Sequence, residues 1–255
     1  MRLKDLKAVV TGSGGAMGGA IALEFARNGA DVALNDRVAE RTGLHQDEIL
    51  AIGRDVLAVT SNVTRRDGAS ALIEAALDRW GQIDILVNVV GGIKGPVINP
   101  IWSISEQEWE FAMGVNLRGA FHCTQLVAQP MMDRRFGKIV NIASTSWSGE
   151  PAHAHYAAAK AGVVAFTRSV ATQLGPYNVN VNAVAPGPTR RDIAIDLGQP
   201  DPARQATSTT SELGPLGRPN EPSDIANAVV FLVSEESRNI SGQLVTVAGG
   251  ANSSL

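Results

Sequence analysis

Short apolar runs alternate with longer helical patterns along almost the whole chain, and this alternation limits the fold more than any other feature. Runs at 7–11 (KAVVT), 31–35 (DVALN), 56–60 (VLAVT), 83–88 (IDILVN), 138–142 (KIVNI), 178–183 (NVNVNA) and 244–247 (LVTV) each predict a buried strand. Between them, 16–28, 66–80, 105–134, 155–174 and 221–234 predict helices. Pro222 stands near the start of the last, where a missing N–H costs no helical bond. Near-continuous apolar strands separated by helices predict a parallel sheet with both faces covered. The expected fold is a doubly wound α/β domain.

No repeat or linker divides the chain, so residues 1–255 are read as one domain. The one irregular stretch, 186–219, is rich in Pro, Gly, Thr and Ser and predicts a loop region that covers a substrate. A formal charge of −3 gives phosphate backbones no basic surface to favour, which argues against nucleic acid. The most apolar stretch, 83–93, contains Asp84 and Asn88 and is too short to span a bilayer. No charged leader with a long apolar run and cleavage site stands at the start, so a cytoplasmic protein without a membrane partner is expected. Cys123, the single cysteine, excludes an intrachain disulfide and a cysteine-rich metal site and suits a small core position.

TGSGGAMGG, residues 11–19, follows the first predicted strand and opens the first helix. Gly12, Ser13, Gly14, Met17 and Gly18 form a turn whose backbone can approach a pyrophosphate. The helix N-terminus behind it offers free N–H groups and a positive dipole end. Asp36 ends the second strand, where a carboxylate accepts hydrogen bonds from both adenosine ribose hydroxyls and repels a 2′-phosphate. This favours NAD over NADP, although Arg37 beside it could accommodate the phosphate. A lone glycine turn means little. The strand before, the helix after and the acid at the next strand end together predict a Rossmann-type dinucleotide site.

Tyr156 and Lys160 lie four residues apart on one predicted helix face. A free tyrosine titrates near pH ~10, too high for a base near neutrality. A lysine cation alongside stabilises the phenolate, as would the positive charge of an oxidised nicotinamide. The bland alternative is a surface tyrosine with an unrelated lysine, but the chain has only two tyrosines, and its lysines are Lys4, Lys7, Lys94, Lys138 and Lys160.

Taken together, residues 11–18, 88–91, Asn116, Ser144, Tyr156-x-x-x-Lys160 and Pro186-Gly187 resemble the short-chain dehydrogenase/reductase family over essentially the whole chain. GVNLRG at 114–119 resembles the family's asparagine-bearing helix. PLGRP at 215–219 and DIA at 224–226 resemble its C-terminal segment. The resemblance implies that Tyr156 is the general acid/base, that Ser144 holds the substrate oxygen, and that Lys160 binds the nicotinamide ribose and lowers the tyrosine pKa. It further implies that Asn116 positions a water, that Asn62 and Val63 lie along the adenine, and that Asn88 and Gly91 flank the cofactor. Pro186, Gly187 and Thr189 would approach the nicotinamide carboxamide, and the assembly would be a homotetramer. The chain departs from the family pattern at Ala16, where a glycine is usual, at NVVG (88–91) and at Asn62, usually an aspartate. Ser144 precedes Tyr156 by twelve residues, with Ser146 as a weaker substitute.

The function expected is NAD-dependent interconversion of a small secondary alcohol and a ketone. The alternatives are an NADPH-dependent 3-ketoacyl reductase and a non-catalytic nucleotide sensor on the same fold. His153 and His155 lack a third ligand, so no metal is expected and the two histidines are read as pocket-lining or exposed. Trp102 is read as core or pocket-lining and Trp147 as pocket. Asp47, Glu48 and Asp55 are read as a solvated face.

Overall fold

The computed structural model describes residues 1–96, 98–190 and 214–251. Its strands are β1 (Lys7–Thr11), β2 (Asp31–Asp36), β3 (Val56–Thr60), β4 (Ile85–Asn88), β5 (Gly137–Ile142), β6 (Val179–Pro186) and β7 (Leu244–Val247). They form one sheet in the order β3-β2-β1-β4-β5-β6-β7, and every neighbouring pair is parallel. The winding reverses between β1 and β4. In open α/β sheets the crevice beyond the carboxyl ends of the strands at such a reversal is where ligands bind.

The helices are α1 (Ala16–Arg27), α2 (Ala39–Thr42), α3 (Gln46–Ala51), α4 (Arg66–Trp80), α5 (Glu106–Met113), α6 (Gly119–Arg134), α7 (Ala154–Leu174) and α8 (Pro222–Val233). The pleat sends Ala8 and Val10 of β1 to one face of the sheet and Val9 to the other. The first face packs against Ile21 and Phe25 of α1 and Ile225 and Val229 of α8. The second packs against Leu72 and Ile73 of α4, Val127 and Met131 of α6, and Leu174 of α7. Both faces are covered, so most strands carry no polar alternation; β6 is the exception, with Asn180 and Asn182 buried and hydrogen-bonded.

Several expected boundaries move. β4 starts at Ile85 because Asp84 spends its carboxylate on the Lys7 N–H (2.8 Å) and the Arg134 guanidinium (2.5 Å). β6 runs on to Pro186, which pairs with Val247, so the irregular stretch begins one residue later than expected. Of that stretch, 191–213 lies outside the described residues, and with it most of the expected substrate-covering loop. The expected helix 105–134 is broken by a π-helical turn at Gly114–Arg118. Neither α2 nor α3 was expected; each buries one residue, Thr42 and Ile49, too few to make a pattern.

Two packing expectations are corrected. Trp102 is 85% exposed rather than core, because it sits on a short turn outside α5. Asp55 is not simply solvated: it takes two hydrogen bonds from Arg79 and one from the Trp80 indole. The Arg79 guanidinium holds its carboxyl down at about 2. Asp47 and Glu48 are exposed as expected, and Cys123 is buried.

Candidate active site

At the carboxyl end of β1 the chain turns on Gly12, whose φ of +65° suits a residue without a side chain. Gly18 must also lack one, because a Cβ there would lie 2.2 Å from the Gly12 carbonyl oxygen. The N-terminus of α1 has no side-chain cap and no acidic residue in its first turn, so its first N–H groups have no partner from a capping side chain. A Cβ on Gly14 would fall 2.7 Å from Asp36 Oδ2, which sets the carboxylate directly over the glycine turn. Asp36 is steadied there by the Val38 N–H on Oδ1 (3.0 Å). A dinucleotide fits this cradle: backbone room and a helix dipole for the pyrophosphate, and a carboxylate for the ribose.

Other predicted cofactor residues are spread differently. The Ser13 side chain is buried against β2 and accepts the Asn35 N–H (2.9 Å), while its own N–H donates to the Asn35 carbonyl (2.9 Å), so both groups are spent on β2. Arg37 is exposed, and Arg41 instead packs its Cβ over Gly14. The Asn62 carboxamide turns onto its own loop, accepting from the Thr64 N–H (3.1 Å) and hydroxyl (2.7 Å). Val63 is buried, with Gly119 facing it. Asn88 sits within the sheet, donating to Asn141 (2.9 Å) and Thr124 (3.3 Å). Thr189 donates to the Gly187 carbonyl (2.9 Å) at the end of β6, next to Pro186.

The residues expected to do the chemistry do converge. Tyr156 lies in the first turn of α7 and Lys160 one turn on, with the Lys160 ammonium 5.7 Å from the Tyr156 ring centre. Lys160 is 3% exposed and donates to the Ile142 carbonyl at the end of β5 (2.8 Å). Burial lowers its pKa from 10.5 to about 8, since a cation loses hydration there. Asn116 comes to the same point from the π-helical turn. Its Oδ1 accepts the Gly92 N–H (3.0 Å), and its Nδ2 donates to the carbonyls of Gly92 (2.8 Å) and Ala112 (3.0 Å). The bond to Ala112 captures a helical carbonyl, and π-helical turns of this kind recur at functional sites. Gly91 fills the gap: a Cβ there would lie 2.7 Å from Asn116 Oδ1 and 3.1 Å from Lys160 Nζ.

Ser144 ends the strand side of the site, capping a short turn at Thr145–Ser148 by accepting the Ser146 N–H (3.2 Å). Three residues later Trp147 lines a cavity of about 580 Å³, with Leu216, Arg218, Asp224 and the carboxyl end of β7 as its other walls. His155 is buried rather than exposed, and among the described residues neither ring nitrogen has a hydrogen-bond partner. Burial, together with nearby His153, lowers its pKa. Glu150 escaped the sequence reading, yet it links Ser146 to His153 beside Ser144. No periodicity marks a loop contact of this kind. Among the described residues no helix is long and apolar enough to cross a membrane, and no group of three or more His, Cys, Asp or Glu could hold a metal.

Comparison with known proteins agrees with this geometry. A family model described as enoyl-(acyl carrier protein) reductase matches residues 12–252. The chain is 37% identical over 250 residues to the (2S)-[(R)-hydroxy(phenyl)methyl]succinyl-CoA dehydrogenase subunit BbsD of Thauera aromatica, covering 98% of each. It is 35% identical over 251 residues to the 3-oxoacyl-[acyl-carrier-protein] reductase FabG of Thermotoga maritima, covering 98% of this chain and 99% of that one. A 7α-hydroxysteroid dehydrogenase solved with NADH and 7-oxo glycochenodeoxycholic acid superposes with a TM-score of 0.86 at 34% identity, covering 98% of this chain and 95% of that one. The match over nearly the whole chain, in sequence and in fold, has one meaning: the chain belongs to the short-chain dehydrogenase/reductase family of oxidoreductases.

Proposed function

We propose that the chain interconverts a secondary alcohol and a ketone with NAD as hydride carrier, and that Tyr156 carries the proton. The observation behind this reading is the Lys160 ammonium 5.7 Å from the Tyr156 ring centre and, with Asn116, close on Gly91, beside an uncapped glycine turn. Gly12, Gly14, Met17 and Gly18 would hold the pyrophosphate, and Asp36 the adenosine ribose. A nicotinamide dinucleotide bound there supplies the site that takes or gives hydride. In oxidation the Tyr156 phenolate removes the hydroxyl proton, while Ser144 hydrogen-bonds the same oxygen. The buried Lys160 ammonium stabilises the phenolate, and its reduced proton affinity suits it to pass a proton on toward Asn116. Reduction runs through the same groups, with Tyr156 donating. Replacing Tyr156 by Phe should abolish turnover across a panel of alcohols and ketones and leave NADH binding, read by fluorescence, nearly intact. Retained turnover overturns the assignment.

The Asp36 carboxylate over the glycine turn supports NAD. The second reading is an NADPH-dependent 3-oxoacyl reductase, favoured by the reductase relatives' names and by Arg37. Binding of NADH and NADPH before and after Asp36→Ala separates the two: the substitution weakens the first and relieves repulsion of the second. The relatives' names also suggest a hydroxy or oxo substrate, with the cavity at Trp147 as the place for its reacting end. A cytoplasmic homotetramer completes the reading, and exposed Ile101 and Trp102 would be among the surfaces it covers.

A further inference from the structure

The loop between Ser144 and Tyr156 carries a hydrogen-bond chain for which the reaction above has no use. It starts at His153, whose Nδ1 donates to Glu150 Oε1 (2.7 Å) and whose Nε2 lies 3.1 Å from the Pro96 carbonyl. The other carboxylate oxygen, Glu150 Oε2, takes the Ser146 hydroxyl at 2.5 Å. Ser146 Oγ in turn lies 3.2 Å from Ser144 Oγ.

Valence fixes the direction of the protons. An ionised carboxylate only accepts, so the single hydroxyl proton of Ser146 goes to Glu150. That bond, to an ionised acceptor, is charge-assisted and stronger than one between two hydroxyls. Ser146 can then meet Ser144 only with a lone pair, and the proton between the two hydroxyls belongs to Ser144. A ketone oxygen also only accepts, so it needs that same proton.

We propose that Ser146, its own proton committed to Glu150, is a positioning residue that competes with the substrate oxygen for the Ser144 proton. The proposal rests on the reading of Ser144 as the group that meets that oxygen. Substrate entry must turn the Ser144 hydroxyl out of the chain. A separation of 3.2 Å is long for two hydroxyls, which prefer about 2.7–2.8 Å, so substrate wins the contest at a measurable cost. His153 holds Glu150 from its far oxygen, which keeps the near oxygen aimed at Ser146.

Neutron diffraction from deuterium-exchanged crystals of the cofactor-free protein reads the polarity without reference to turnover. The Ser146 deuteron should lie toward Glu150, and the Ser144 deuteron between the two hydroxyls. A Ser146 deuteron aimed at Ser144 overturns the proposal. The consequence is read with acetoacetyl-CoA and NADH. Ser146→Ala should lower KM roughly two- to fivefold with kcat unchanged, the lower range for one neutral hydrogen bond. Ser146→Thr, which restores the hydroxyl, should return KM to the parent value. A raised KM or a fallen kcat in Ser146→Ala shows a merely structural loop and also overturns the proposal. A parent enzyme idle on this probe bears on the substrate reading instead, and the neutron map then decides alone.

Discussion

Replacing Lys160 by Met removes a charge that the fold holds at a cost, and the cost has a signature in pH. The ammonium is buried, and its pKa falls from 10.5 to about 8. Between those values the unfolded chain holds the proton and the native chain has released it, so the unfolded state binds more protons. Stability contributed by this group therefore rises with pH across that window, and is lowest below about pH 8, where both states carry the charge. From about pH 7 to about pH 9.5 the rise amounts to about 2 kcal/mol. The lost bond to the Ile142 carbonyl adds a penalty to the variant that does not change with pH, so it cancels when the two pH values are compared. The assay is urea unfolding of the cofactor-free parent and Lys160→Met proteins at both pH values. The difference in unfolding free energy, parent minus variant, should grow by about 2 kcal/mol, or about 0.8 M in midpoint for a slope of about 2.5 kcal/mol/M. A difference that stays flat with pH refutes the claim that this lysine is held as a costly buried cation.

Gly91→Ala puts a methyl 2.7 Å from Asn116 Oδ1 and 3.1 Å from Lys160 Nζ, so both must retreat by several tenths of an ångström. Turnover should fall roughly 10- to 100-fold while the thermal midpoint shifts by only a few degrees, as measured by steady-state rates and scanning fluorimetry. Cys123, its pKa pushed up to about 12 by burial, should react with a thiol-specific disulfide reagent only after unfolding in urea, one equivalent per chain.

Much of the fold was legible because the pattern that encodes it is local. Strands buried on both faces show as unbroken apolar runs such as AVV at 8–10, and the switch from these to helical spacing marks each crossover. What stayed hidden depends on contacts made across the chain. The break at Gly114–Arg118 accompanies the Asn116 side chain's bond to the Ala112 carbonyl and its hold on Gly92, a pairing no helix propensity expresses. Trp102 is apolar enough for a core, but its place on a turn outside α5 leaves it exposed. In the site, Tyr156 and Lys160 could be paired from the sequence because one helical turn fixes their separation. The Ser146–Glu150–His153 chain could not, since an irregular loop sets its geometry and its last link reaches back to Pro96.

The departures from the family pattern sort by the same logic. A glycine is indispensable where backbone meets backbone: a methyl on Gly18 would overlap the Gly12 carbonyl at 2.2 Å, and that oxygen belongs to the turn itself and cannot move aside. Ala16, one step into the turn, is the first residue of α1, part-exposed and in a helical conformation that alanine adopts better than glycine. Its methyl therefore leaves the Gly12–Gly18 contact alone, and it lowers the entropy that ordering the helix start would otherwise lose. At Asn62 the missing charge is likewise absorbed locally, for the carboxamide oxygen takes the Thr64 N–H and hydroxyl and so still ties down the loop after β3. Ala16 and Asn62 thus fall where a side chain answers to its own loop, whereas Val90, in the third departure, packs across against Gly12. The unaltered positions, Gly18, Gly91, Asn116 and Lys160, are those where separate segments of the chain come within contact of one another.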